Sequence, residues 1–126
     1  MKTLVFGASL KEERYSNAAI RMLREYDHEV VAIGGRVGTV VDVEILRGHP
    51  DIADIHTITM YMRAQRQEDH LDFLMGLTPK RVIFNPGAEN PKFEQILKMK
   101  GVEVLRACTL VLLRTNQYSD KEIVEE

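Results

Sequence analysis

A single cysteine, Cys108, is all the 126-residue chain contains, so no intrachain disulfide can form. That fits a reducing compartment. No apolar run approaches the roughly 18–20 residues that cross a bilayer. The opening apolar run, residues 3–6, is too short for the core of a signal peptide and meets Gly7 at once. It reads as a strand of the mature protein, and with no address visible the expected location is the cytoplasm. Charge of one sign is also lacking: the net charge is −2 and neither half carries a long run of like charges. A non-specific nucleic-acid binder or a polybasic membrane anchor needs a concentrated basic surface, which excludes both classes of partner here. Disorder is excluded by the 44% hydrophobic content, and the length suits one ordinary domain with a core of its own. Repeats, low-complexity tracts and signs of a second domain are absent.

What is present is an alternation of short apolar runs with longer amphipathic ones. Residues 3–6 predict a strand buried on both faces and closed by Gly7. Ala18, Ala19, Met22, Leu23 and Tyr26 recur at helical spacing, with Ser16 or Asn17 as the cap and Asp27 in the closing turn. A second strand over residues 30–33 ends in Gly34 and Gly35. The next stretch, 37–53, predicts a short strand near 40–45 and a turn at Gly48-His49-Pro50. Residues 55–62 predict a third core strand, and 64–75 a helix with Leu71, Leu74 and Met75 on its apolar stripe and Gly76 as its C-cap. A fourth strand, 81–84, precedes a helix opened by Asn90-Pro91 and closed by Gly101. A fifth strand covers 102–105, and after Leu113 the chain turns polar and acidic.

Strand–helix alternation implies right-handed crossovers. The expected fold is a single-domain, Rossmann-like α/β three-layer sandwich: a five-stranded parallel sheet with helices on both faces. The domain would span residues 1–113, and 114–126 would form a polar tail, either a surface helix or a frayed end.

Ligands of such sheets bind outside the carboxyl ends of the strands. The five strands deliver Gly7-Ala8-Ser9, Gly34-Gly35-Arg36, Met60-Tyr61-Met62-Arg63, Asn85-Pro86-Gly87 and Arg106-Ala107-Cys108 to that edge. A small-residue turn before a helix lets backbone N–H groups and the helix N-terminus reach a phosphate, and Ser9 adds a hydroxyl. The same triplet also serves as a plain tight turn. The dinucleotide fingerprint fails, because Gly7 is followed by Ala8, Ser9, Leu10, Lys11 and Glu12 rather than by glycines at the third and sixth positions. The phosphate-loop ending, Gly-Lys-Ser/Thr, is missing too. Where an NAD enzyme places a carboxylate for the ribose, this chain has Gly34, Gly35 and Arg36. A guanidinium there suits a ribose phosphate, carried on the 3′ oxygen by coenzyme A (CoA) and on the 2′ oxygen by NADP.

Gly7-Ala8-Ser9, Tyr15-Ser16-Asn17, residues 29–33, Asn85-Pro86-Gly87-Ala88-Glu89-Asn90 and Cys108 together resemble the small bacterial CoA-binding proteins, single-domain relatives of the CoA-binding part of succinyl-CoA synthetase. The resemblance runs from about Thr3 to Leu112. It implies CoA as cofactor, with the diphosphate held by Gly7, Ala8 and Ser9 and with Arg14, Tyr15, Ser16 and Asn17 near the ligand. Three departures stand out. The family's frequent Asn-Pro-Lys after the second strand is replaced by Gly34-Gly35-Arg36, which keeps the cation and loses the turn. The glutamine often found before Pro-Gly is Asn85, followed by Pro86 and Gly87. The usual sequel to the cysteine is replaced by Thr109-Leu110.

No catalytic constellation accompanies these residues. The synthetase relatives use a histidine from a further domain, while His28, His49, His56 and His70 fall in a turn, a loop, a strand start and a helix, at neither metal nor triad spacing. Glu12 and Glu13 read as a solvated pair. Cys108 is the one candidate nucleophile, positioned to meet a CoA sulfur, or else an inert small hydrophobe. Met60 and Met62 either line a pantetheine channel or belong to the core. Three readings follow. The first is a binding protein for CoA or an acyl-CoA without chemistry of its own, so not an enzyme. The second is a small NADP-dependent reductase. The third is an interaction module with a degenerate site, acting through a homo-oligomer surface.

Overall fold

The computed structural model describes residues 1–119. Seven strands form one sheet: β1 (Lys2–Ala8), β2 (Glu29–Gly34), β3 (Gly38–Val40), β4 (Val43–Leu46), β5 (Thr57–Met60), β6 (Arg81–Phe84) and β7 (Glu103–Arg106), in the order β3-β4-β2-β1-β5-β6-β7. The helices are α1 (Tyr15–Glu25), α2 (Ala64–Gln67), α3 (Leu71–Gly76), α4 (Pro91–Met99) and α5 (Thr109–Arg114). Every neighbouring pair of strands is parallel except β3 and β4. The order reverses at β1, with β2 on one side and β5 on the other, which makes the end of β1 the switch point of the sheet.

Both faces of the sheet are covered, as its apolar strands require. Leu4, Phe6, Ile58, Met60, Val82 and Phe84 pack on one side with Leu74 of α3 and with Phe93 and Leu97 of α4. Val5, Ala32, Ile45 and Ile83 pack on the other with Ile20 and Leu23 of α1 and with Leu113 and Tyr118. Successive residues of β1 and β6 point to opposite faces, so one short run feeds two cores. This is the expected three-layer α/β sandwich.

The sheet has seven strands rather than the expected five, and it is not wholly parallel. The single strand expected near 40–45 is a hairpin, with Val40 paired to Val43 across Val41 and Asp42. Val41 takes a φ of 59°, unusual for a β-branched residue, so the turn carries no composition signal. Arg24 of α1 grips Asp42 through a two-pronged contact, Nε to Oδ1 at 2.9 Å and Nη2 to Oδ2 at 2.8 Å.

The helix expected over 64–75 is interrupted: a 3-10 turn, Glu68–His70, separates α2 from α3. The break falls where Gln67 is buried and His70 packs edge-on against Phe6 at 5.1 Å. Gly76 is the last helical residue rather than the cap, and Thr78 takes the left-handed conformation, at φ 46°. Gly101 and Asp27 take it as expected, at 81° and 65°. Asn90 caps α4, its side chain accepting from the Phe93 amide at 3.1 Å.

The expected tail divides. Its first residue, Arg114, closes α5, which begins at Thr109 inside the expected domain, and Tyr118 is 2% exposed in the core. Its hydroxyl shares a 2.6 Å hydrogen bond with Thr3 Oγ1, and its carbonyl accepts from Arg81 Nη1 at 2.8 Å. A threonine-bearing face of the sheet thus finds its polar partners in the C-terminal segment. The rest of the expected tail, from 120 on, lies outside the described residues. No helix among the described residues is long and apolar enough to cross a membrane.

Candidate functional site

At the switch point β1 runs into a turn whose glycines have different reasons to be glycine. Gly7 has φ 96°, and a Cβ there would stand 3.0 Å from the Met62 amide nitrogen at the end of β5. The pairing of β1 with β2 slips between Phe6 and Ala8, which brings the Ala8 carbonyl against Gly34. A Cβ on Gly34 would lie 2.2 Å from that oxygen. Both glycines are therefore demanded by the neighbouring backbone. A Cβ on Gly35 would meet nothing within 4 Å, so the space above the end of β2 is open.

The loop from β1 to α1 is tied down by its own side chains. The Lys11 amide donates to Ser9 Oγ at 3.1 Å. Asn17 Nδ2 donates to the Ser9 carbonyl at 3.0 Å, and Asn17 Oδ1 accepts from Arg21 Nε at 2.8 Å. The helix starts earlier than expected: Arg14 is the extended N-cap residue, with no side-chain capping bond. Ser16 and Asn17, the expected caps, lie inside the first turn and are buried. First-turn amides have no intrahelical acceptor. Those of Tyr15 and Ser16 find none elsewhere among the described residues and remain available to an anion.

Above this edge lies a cleft of about 970 Å³. Gly7, Ala8, Ser9, Leu10 and Lys11 line it from the turn, and Arg14, Tyr15 and Ser16 from the start of α1. Gly34, Gly35 and Arg36 line it from the end of β2, Tyr61, Met62, Arg63 and Arg66 from β5 and α2, and Pro86 from β6. Five of these residues are cations, Lys11, Arg14, Arg36, Arg63 and Arg66, and none is a carboxylate, histidine or cysteine. None of the five takes part in an ion pair among the described residues. Five unpaired cations on one cleft of a chain with net charge −2 make a local positive field.

Eleven of the sixteen residues expected at the site line this cleft: Gly7, Ala8, Ser9, Arg14, Tyr15, Ser16, Gly34, Gly35, Arg36, Tyr61 and Pro86. Five do not. Asn17 is 2% exposed and holds the loop. Met60 is 0% exposed and belongs to the core beside Phe84, because it points to the opposite face from Thr59. Gly87 turns at φ 93° and donates to Glu89 Oε1 at 3.0 Å, outside the cleft. Cys108 is a half-buried thiol at the N-cap of α5, also outside it. Asn85 is a strut: its Oδ1 accepts from the Thr109 amide at 2.8 Å, and its Nδ2 donates to Thr59 Oγ1 at 2.7 Å and to the Met60 carbonyl at 3.0 Å. Asn85→Ala is expected to cost about 2–4 kcal/mol, since three buried partners lose a bond, and urea denaturation reads the loss.

Lys11, Leu10 and Arg66 line the cleft without having been expected there, and Arg63 reaches it from the end of the third expected strand. Exposed cations and a lone leucine in loops have no local signature, and only the folded edge brings them together. Met62 is the methionine of the pair that reaches the cleft. The Tyr61 hydroxyl is buried with no hydrogen bond of good geometry, and desolvation, aided by the neighbouring Cys108, pushes its pKa up. Away from the cleft, His49 and His70, 21 residues apart in sequence, share a 2.8 Å hydrogen bond. No group of three or more histidine, cysteine or acidic side chains that could hold a metal occurs among the described residues.

The fold has close counterparts among solved structures. A solved structure of an uncharacterized protein is 38% identical, with a TM-score of 0.89, over 92% of this chain and 96% of the other. A Thermus thermophilus protein is 23% identical, with a TM-score of 0.80, over 92% of this chain and 89% of the other. A hypothetical protein from Pyrococcus horikoshii OT3 is 19% identical, with a TM-score of 0.76, over 89% of this chain and 81% of the other. The last two likenesses speak for the fold alone. No curated protein matches the chain. The CoA binding domain family matches residues 1–114, nearly the whole sequence, and the chain belongs to that family.

Proposed function

We propose that the protein binds CoA, free or acylated, in the cleft at the end of β1, and that it works by binding rather than by catalysis. The observation that carries this reading is the chemistry of the lining: five cations, no carboxylate, and a glycine turn leading to the free first-turn amides of an eleven-residue helix. Such a site suits an elongated polyanion. CoA offers a diphosphate, for which the residues from Gly7 to Ser9 and the start of α1 provide N–H donors, and a 3′-phosphate, for which Arg36 provides a planar fork of donors. Tyr61, Met62 and Pro86 offer apolar surface to a pantetheine arm. The lining has no histidine, carboxylate or cysteine to move a proton or form an acyl bond, which favours binding over catalysis. Cytoplasmic residence suits such a role.

A thermal-shift panel of CoA, dephospho-CoA, NADP and NAD tests this. CoA at a hundred times its dissociation constant should add about 2.7 kcal/mol to stability. Dephospho-CoA should add less, and NAD least. A melting curve moved by NADP and unmoved by CoA would replace the reading with a reductase; one moved by none would leave an interaction module.

A further inference from the structure

Tyr15 is an aromatic residue left 75% exposed, far more than Tyr26 at 47%, and it lines the cleft. Its ring stacks on no other ring and carries no cation among the described residues. Nothing in helix formation asks for it at the first position of α1, where a tyrosine neither caps nor complements the dipole. A bare ring of this kind beside five cations is the pairing that nucleotide sites use: charge for the phosphates and a flat apolar surface for the base.

The sheet order says which end of the ligand meets the ring. Helix α1 packs on β1, β2 and β3 and against α5, and the side chain of Leu10, in the loop that enters it, stands against Gly38 of β3, so the approach to its first turn leans to the β2 side of the switch point. On that side lie Arg36 and the open space above Gly35. Tyr61, Met62 and Pro86 lie at the ends of β5 and beyond, on the other side of β1. A diphosphate centred on β1 would send its nucleoside toward β2 and its pantetheine arm toward β5 and β6.

We propose that the Tyr15 ring is the stacking platform for the purine of the bound nucleotide, and thereby the residue that makes the cleft prefer a base-bearing ligand to 4′-phosphopantetheine. This rests on the CoA reading above. The chain contains no tryptophan, so Tyr15→Trp installs a single indole reporter. CoA and adenosine 3′,5′-bisphosphate should quench its emission, and 4′-phosphopantetheine should leave it unchanged. In calorimetry, Tyr15→Ala should weaken CoA by about 5- to 150-fold, the effect of losing one base stack, while 4′-phosphopantetheine affinity stays the same. Tyr15→Phe should bind CoA like the natural protein, because the ring and not the hydroxyl acts. CoA binding unaltered in Tyr15→Ala, or equal losses for CoA and 4′-phosphopantetheine, would overturn the assignment of the ring and leave the CoA reading standing. A natural protein that binds no CoA at all would overturn both.

Discussion

Gly34→Ala is expected to destabilise the protein by about 3 kcal/mol or more, while Gly35→Ala, one residue on, should change stability by no more than about 0.5 kcal/mol. The two glycines look alike in sequence. In the fold, a methyl on Gly34 would stand 2.2 Å from the Ala8 carbonyl oxygen, with the Ile45 side chain also within 3.2 Å. Relief requires β1 and β2 to part, and β1 is the central strand at which the strand order reverses. A methyl on Gly35 enters open space, and its backbone is not in the left-handed region, so alanine is tolerated there. With total stability near 5–15 kcal/mol for a domain of this kind, the first substitution takes a large fraction of it. Urea denaturation of the two variants side by side decides the matter. Equal midpoints would mean that β1 and β2 can separate at their ends without penalty.

Neutralising Lys11, Arg14 and Arg36 together to glutamine should lower CoA affinity by about three orders of magnitude without lowering the melting temperature of the free protein. A charge-assisted hydrogen bond is worth about 1.5–3 kcal/mol, and at exposed positions such as these the lower end applies, near tenfold for each. The stability half of this prediction has its own cause. None of the three is ion-paired among the described residues, and they share one cleft with Arg63 and Arg66. Removing like charges from a shared cleft relieves repulsion rather than breaking a bond. The remaining binding should also depend less on salt, because exposed charges are screened over about 8–10 Å at ordinary ionic strength. Calorimetric titrations at two salt concentrations, with melting curves of the unliganded variants, read both halves. A triple variant that binds as well as the natural protein would mean that the cations are solvated surface and nothing more.

Most of this architecture could be read in the chain. Residues 81–84 match β6, and the strands and helices flanked by glycine or by Asn90-Pro91 fell within a residue or two of their places, because an apolar run closed by a turn residue is a local signal. The β3–β4 hairpin was not legible: Val41, the turn residue that takes a positive φ, is of a type that normally continues a strand. The docking of Tyr118 was hidden for a different reason. A lone tyrosine in a polar stretch gives no period, and its partners Thr3 and Arg81 are remote in sequence.

The site divides along the same line. Residues adjacent to strand ends were placed by topology alone, which is why Gly7 through Ser9 and Gly34 through Arg36 reach the cleft. Side-chain direction was not available from that argument. Asn85 sits at a strand end and still turns away to brace Thr109, while Met60 lies inside β5 with its side chain in the core and Met62, past the end of that strand, reaches the cleft. Lys11 and Arg66 come from loop and helix positions whose proximity depends on how the first turn of α1 and the start of α2 lean over the edge.

Titration of the natural protein with CoA in a calorimeter, at near-physiological salt, tests the central claim most directly. The account predicts saturable binding of one CoA per chain, weakened as salt is raised. A correctly folded protein that takes up no CoA at millimolar concentration would contradict it.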